Sequence, residues 1–144
     1  GFVSKSTPRG SIEPSLNPIA LMLVCGATFV ARGFSGRSSH LKDLIKEGIR
    51  HRGFSFIDIL QPCVTFYNTF KFYGERVYDL NQEKHDFRDF KSAMEKAYEW
   101  GDRIPIGIFY KVEKDTFNEL VLHKRILVEE KEIPLIGQTL KTHI

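Results

Sequence analysis

Residues 54–60 read Phe-Ser-Phe-Ile-Asp-Ile-Leu and run straight into Gln61-Pro62-Cys63. Aromatic and β-branched residues bounded by Gly53 and Pro62 make this the clearest strand in the chain. An amphipathic segment stands just before it. Leu41, Leu44, Ile45, Gly48 and Ile49 fall on one helical face, and Lys42, Asp43, Lys46, Glu47 and Arg50 fall largely on the others. Ser38 or Ser39 suits its N-cap. Residues 28–31 supply a short buried strand ahead of this helix, and residues 104–110 a third strand. Strands separated by helices of about a dozen residues define an α/β fold, with a mainly parallel sheet flanked by helices. The 144 residues suffice for one such domain.

The other elements fit around this unit. Residues 1–16 read as an irregular lead-in, with Pro8 and Pro14 opposing helix. Asn17 is a good N-cap and Pro18 suits the first helical position, where its missing N–H costs nothing. That helix runs to Val24 and stops at Gly26. It is apolar nearly all round, so it reads as buried, with Cys25 a core residue. Residues 72–78 fit a short helix. Asp86 or Asp89 caps another, whose apolar positions Phe90, Ala93, Met94 and Ala97 carry it to about Trp100, with Gly101 as its stop. Asp115 or Thr116 caps a short helix through Val121. Residues 122–144 alternate only weakly and contain Pro134 and Gly137. The reading therefore divides the chain into residues 1–121, an α/β domain, and residues 122–144, an arm that needs a partner surface. Three strands make a small sheet for this length, and both of its edges need cover.

Composition narrows the function classes. With 42% apolar and 27% charged residues the chain is an ordinary globular one. No apolar run reaches the ~18 residues of a spanning helix, so no membrane partner is expected. A net charge of +3 with no dense Lys/Arg block gives no reason to expect nucleic acid. Two cysteines cannot build a disulfide scaffold. The chain starts at Gly1 rather than Met and carries no export signal pattern, which suggests a processed chain or a piece of something longer.

Cys63 is the leading chemical candidate. It sits just past the carboxyl end of a buried strand, where open α/β sheets bind ligands. A thiolate there serves as nucleophile or metal ligand; the structural alternative is a small hydrophobe under a loop. A thiol redox role is disfavoured by the absence of Cys-x-x-Cys. His40, His51, His85, His123 and His143 show no metal spacing and read as solvated surface. Asp58 interrupts an apolar strand and reads as solvent-facing or as a cap on a neighbouring helix. Arg32 follows a buried strand, so it is either an anion contact or half of a surface salt bridge. Gly33, Gly36 and the intervening serine suggest a backbone nest for an anion. Phe66, Tyr67, Phe70, Phe72 and Tyr73 form an aromatic cluster. It is either a satellite core or a dry docking patch.

Several strings together carry a family resemblance. They are Asn17-Pro18-Ile19-Ala20, the run Gly26-Ala27-Thr28-Phe29-Val30-Ala31-Arg32-Gly33-Phe34-Ser35-Gly36, His40-Leu41, Arg50-His51-Arg52-Gly53, and Phe56 to Phe66 through Gln61-Pro62-Cys63. Glu75-Arg76-Val77-Tyr78 and Ile104-Pro105-Ile106-Gly107-Ile108-Phe109-Tyr110 complete the set. Over residues 4–120 the chain resembles the β subunit of 2-oxoacid:ferredoxin oxidoreductases.

The resemblance implies part of a thiamine diphosphate-binding fold. It also implies an enzyme that decarboxylates a 2-oxoacid (2-oxoglutarate or pyruvate) with coenzyme A and passes electrons to ferredoxin. Thiamine diphosphate, Mg²⁺ and a [4Fe–4S] cluster are the implied cofactors. Cys63 is similar to the last of the family's four cluster cysteines, and Arg32 and Gly33 are the candidate cofactor-binding residues. The implied partners are an α subunit, the amino-terminal half of the same β subunit, ferredoxin, the 2-oxoacid and coenzyme A, in the cytoplasm. The family's Gly-Asp-Gly segment and its three other cluster cysteines have no counterpart here, and in the family they precede the point matched by Gly1. The expectation is a carboxyl-terminal half that alone binds no cluster and is inactive. A non-catalytic subunit-interaction module of the same fold is the alternative.

Overall fold

The structure is a computed structural model that describes residue 3, residues 7–10 and residues 12–121. The chain divides into two compact units, Gly1–Lys114 and Asp115–Ile144. The first unit is built on four strands: β1 (Phe29–Phe34), β2 (Ser55–Leu60), β3 (Val77–Asp79) and β4 (Ile104–Lys111). Their order across the sheet is β2-β1-β4-β3. β1 runs parallel to β2 and β3 parallel to β4, while β1 and β4 meet antiparallel in the middle.

Side-chain alternation along β1 builds two faces. Phe29 and Ala31 point to one face and pack with Leu44 and Ile108. Leu44 belongs to α2 (Ser38–Arg50), whose apolar stripe covers that side. Val30 points the other way, into a cluster with Ile19, Leu23, Ala93, Ala97 and Phe109. These residues place α1 (Pro18–Val24) and α4 (Phe90–Ala97) on the second face. Phe34 continues that face into a patch with Leu60, Val77, Ile104 and Ile106, capped by Tyr73 of α3 (Phe70–Arg76). Burying side chains of the size of Ile19 and Leu23 contributes about 2 kcal/mol each.

The helix caps follow the sequence closely. Asn17 Oδ1 accepts the Ala20 N–H at 3.1 Å, and Pro18 opens α1. The Asp89 carboxylate accepts the N–H groups of Lys91 and Ser92 at the start of α4. In the second unit, Thr116 and Glu119 form a reciprocal capping box at α5 (Phe117–Val121): Thr116 N–H donates to Glu119 Oε2 at 2.8 Å, and Glu119 N–H to Thr116 Oγ1 at 3.3 Å.

Other expectations are corrected. The cap position of α2 is Arg37, without a side-chain bond, and Ser38 is already helical. β1 runs three residues past Ala31, because Arg32, Gly33 and Phe34 stay in register with Asp58, Ile59 and Leu60. The segment read as helix over 72–78 leaves helix at Arg76, and Val77–Asp79 joins β4 as a fourth strand. α1 is not buried all round: Leu21 and Val24 are exposed. Cys25 is likewise exposed, since it sits at the helix end rather than in the core. The arm over residues 122–144 lies outside the described residues.

Candidate functional site

β2 ends at Leu60, and the chain turns at once through Cys63. Tyr67 N–H donates to the Cys63 carbonyl at 2.9 Å, closing a tight loop over residues 63–67. The backbone N–H groups of Phe66, Thr65 and Tyr67 converge on the Cys63 thiol. The Phe66 and Thr65 donors lead in holding its pKa below the ordinary thiol value, against an opposing effect of desolvation that outranks the Tyr67 donor. The sulfur is exposed. An exposed thiol held toward its thiolate by backbone donors is suited to bind a soft metal centre. Val64 and Phe66 flank it as exposed apolar side chains.

The aromatic cluster continues inward from this loop. Phe70 packs on Phe34 with ring centroids 5.7 Å apart, Phe34 on Tyr73 at 6.0 Å, and Tyr73 on Trp100 at 6.4 Å. These rings span from α3 to the second face of the sheet, where Arg32 lies. Arg32 is not a surface residue. It is 2% exposed in the middle of β1. Its Nε donates to Asp58 Oδ2 at 2.8 Å. Its guanidinium carbon lies 5.1 Å from the Trp100 ring centroid and 5.4 Å from that of Phe109. Asp58, read from sequence as solvent-facing or a helix cap, is instead the counter-ion of this buried cation. The two are direct cross-strand neighbours on β1 and β2.

Arg32 and Gly33 are adjacent in sequence, so the strand sends them to opposite faces. A Cβ on Gly33 would fall 2.6 Å from Leu41 Cδ1, placing Gly33 under α2. Gly36 lies against the Phe34 ring. Arg32 therefore stands with Asp58 and Trp100, and Gly33 with α2.

The described histidines also depart from the surface reading. His51 Nε2 and Thr28 Oγ1 are 2.9 Å apart. His85 bonds the Phe109 carbonyl at 2.8 Å and Ser92 Oγ at 3.2 Å. Burial first, then the Lys111 charge, hold the His51 pKa below its ordinary value. His40 has both ring nitrogens buried without a hydrogen bond, its Nε2 lying 3.7 Å from Asp79 Oδ2. His123 and His143 lie outside the described residues.

A [4Fe–4S] cluster is held by four thiolates. Among the described residues no three His, Cys, Asp or Glu side chains come together as a metal site. By its exposure and its backbone donors Cys63 could supply one thiolate of such a set, and the described residues do not supply the rest.

Comparison with known proteins places this geometry in a family. Residues 63–125 match the family described as the C-terminal part of the pyruvate ferredoxin oxidoreductase beta chain. A 2-oxoacid:ferredoxin oxidoreductase subunit beta from a Sulfolobus species is 46% identical over 125 residues, covering 78% of this chain and 41% of the relative. The 2-oxoglutarate synthase subunit KorB of Methanocaldococcus jannaschii is 32% identical, covering 88% of this chain and 47% of the relative. A solved 2-oxoglutarate:ferredoxin oxidoreductase from Magnetococcus marinus, with 2-oxoglutarate, coenzyme A and succinyl-CoA bound, superposes with a TM-score of 0.82 at 31% identity, over 98% of this chain and 48% of that one. The chain thus spans less than half the length of these relatives. It belongs to the 2-oxoacid:ferredoxin oxidoreductase β-subunit family and corresponds to the carboxyl-terminal part of that subunit.

Proposed function

We propose that this chain works as the carboxyl-terminal part of a catalytic β subunit, in an enzyme that oxidatively decarboxylates a 2-oxoacid with coenzyme A and delivers the electrons to ferredoxin. Cys63 is then one of four thiolate ligands of a [4Fe–4S] cluster. The observation that carries the reading is the family match, which opens at Cys63, together with the convergence of three backbone N–H groups on that thiol.

When bound, thiamine diphosphate with Mg²⁺ supplies the carbanion-stabilising chemistry, and the cluster supplies a one-electron acceptor. The chain's own residues do the rest. The Phe66, Thr65 and Tyr67 N–H groups stabilise negative charge on Cys63 Sγ and so tune whatever centre it ligates. Val64 and Phe66, exposed beside Cys63, offer apolar surface to whatever covers the loop. Arg32, neutralised by Asp58, places a buried cation where a polar ligand is oriented. Gly33 lets α2 close on the opposite face.

An α subunit, the amino-terminal half of the same subunit and ferredoxin are the proposed protein partners. The proposed site of action is the cytoplasm. 2-Oxoglutarate and pyruvate are the candidate substrates. The Magnetococcus marinus enzyme, with 2-oxoglutarate and coenzyme A bound, supports this substrate class.

The test is anaerobic reconstitution. The chain is joined behind the amino-terminal part of the Sulfolobus β subunit and co-produced with its α subunit. Iron content, the EPR signal of the reduced cluster and 2-oxoacid-dependent ferredoxin reduction are then read. Cys63→Ser should abolish the cluster signal and electron delivery. Full iron content in the serine variant would overturn the ligand role. A complex that assembles equally with either residue and never reduces ferredoxin would favour the interaction-module reading, to which the exposed rings of Phe66, Phe70 and Phe72 point.

A further inference from the structure

Strand β3 has little pairing to hold it. It is three residues long, and one of its partners on β4, Pro105, has no N–H to give. Just past its end, Leu80 N–H donates to the Ile106 carbonyl at 2.9 Å. The start of α2 reaches across to the strand. Arg37 Nη2 donates to the Val77 carbonyl at 2.9 Å. One turn on, His40 faces Asp79, the last residue of β3, with its Nε2 3.7 Å from Oδ2.

This second contact is built but not closed. Both side chains are about one-fifth exposed, and both ring nitrogens of His40 are buried without a hydrogen bond. Asn81 N–H occupies Asp79 Oδ1 at 2.9 Å, which leaves Oδ2 facing His40. β4 makes room for the carboxylate: a Cβ on Gly107, at φ +115°, would fall 3.2 Å from Oδ1. The 3.7 Å gap is too long for a hydrogen bond, whereas a charge-assisted one closes to about 2.8 Å.

Protonation changes what this contact can do. A neutral imidazole offers one N–H and no charge. An imidazolium offers an N–H at Nε2 and a positive charge opposite the carboxylate. The other charged groups around the pair are engaged or offset. Arg37 and Asp43, one turn before and one turn after His40 on α2, carry opposite charges. Arg76 pairs with Glu75 before β3, and Arg103 with Glu83 after it. β4 presents Gly107, which carries no charge. The amino end of α2 disfavours a cation, and the Asp79 carboxylate is what offsets it. We propose that His40 and Asp79 form a proton-operated latch: protonation of His40 closes the contact and pins β3 to α2, and loss of the proton frees the strand end. Val77 is both the cap of α3 and the first residue of β3, so the latch also fixes the far end of the segment that starts at Cys63. The proposal rests on neither the cluster nor the family assignment.

Amide hydrogen exchange of the full 144-residue chain reads the strand directly. Leu80 N–H is the reporter, and the Val30 and Ala31 amides of β1, in the middle of the sheet, are the internal reference. After correction for the intrinsic pH dependence of exchange, Leu80 protection relative to that reference should be about fivefold higher at about pH 5.5 than at about pH 8, the worth of one hydrogen bond. His40→Gln keeps a donor without a titrating charge, and Asp79→Asn removes the carboxylate. Each should leave Leu80 equally protected at both pH values. Protection that does not change with pH in the unaltered chain would overturn the latch, and this reading needs no variant to fold. A pH response that survives in His40→Gln would overturn it too, by assigning the response to another group. A response shared equally by Leu80 and the β1 amides would be a change in global stability and would likewise overturn a local latch.

Discussion

Arg32 and Asp58 sit at directly paired positions of two parallel strands, and their side chains meet on the same face at 2.8 Å with the cation almost fully buried. Removing one partner of such a pair leaves an uncompensated charge, which costs on the order of 3–5 kcal/mol. Asp58→Ala should therefore lower the urea midpoint by the equivalent of about 3 kcal/mol. Arg32→Met, which removes the buried charge itself, should cost less. Equal losses would show that packing against Trp100 and Phe109, rather than charge, holds Arg32.

Asn17 ties two helices together. Its Oδ1 caps α1, and its Nδ2 reaches the Ala97 carbonyl at the end of α4. Asn17→Asp keeps the acceptor and loses the donor, and Asn17→Ala loses both. Unfolding should show the alanine variant down by roughly 2 kcal/mol and the aspartate variant down by less, with the difference reading the cap alone. Identical losses would assign the whole effect to the bond to Ala97.

Cys63 should alkylate with a pH midpoint below the ordinary thiol range, because Phe66, Thr65 and Tyr67 N–H groups favour its thiolate. Iodoacetamide labelling followed by peptide mass analysis reads it separately from Cys25. Phe66→Pro removes the leading donor and should move the midpoint upward. A midpoint indistinguishable from that of the urea-unfolded chain would show that the loop does not hold this geometry in solution.

Lys96, Tyr78 and Glu99 form one network: Lys96 Nζ donates to Glu99 Oε2 at 2.8 Å and to Tyr78 Oη at 2.9 Å, and Tyr78 Oη–H donates to Glu99 at 2.8 Å. Burial alone would raise the Glu99 carboxyl, but the bonds from Lys96 and Tyr78 outweigh it and leave it below its ordinary value. The bond to Glu99 leads in raising Lys96. The carboxylate's contribution is complete above the ordinary carboxyl pKa and fades as pH falls through the depressed value. The ammonium's contribution is complete below the ordinary lysine pKa and fades as pH rises through the raised value. Both side chains are about a quarter exposed, so the network contributes about 1 kcal/mol or less. Glu99→Gln should flatten the stability–pH curve at both ends, measured by thermal unfolding from acid to alkaline pH. An unchanged curve would leave the network without a role in stability.

Local signals were legible because they act locally. Asn17-Pro18, Asp89 (read beside Asp86) and Thr116 (read beside Asp115) mark helix starts through bonds to neighbours two or three residues away. Residues 54–60 and 104–110 announce strands by β-branched and apolar runs. Cys63 could be singled out because a proline break follows an apolar strand, although that strand, read as buried, is a half-buried edge of the sheet. What escaped depends on pairing across the fold. Three residues, Val77–Asp79, are too short to declare a strand until β4 pairs with them. Arg32 reads as an anion contact or half of a surface salt bridge, since nothing within its own segment reveals Asp58, 26 residues away, or Trp100. The one available hint was a charged residue of each sign, Arg32 and Asp58, interrupting two apolar strands. His51 and His85 failed the surface reading for the same reason: Thr28, Phe109 and Ser92 come to them only through tertiary folding.

The strand order carries one more consequence. Among the described residues the sheet ends on one side in β3, three residues long, and on the other in β2, six residues long. Only the longer side offers enough backbone to recruit another strand. Two copies joined through it about a two-fold axis would each use up that side, and the short rims left over could not add a third. Self-association by this route therefore closes at pairs and does not propagate into filaments.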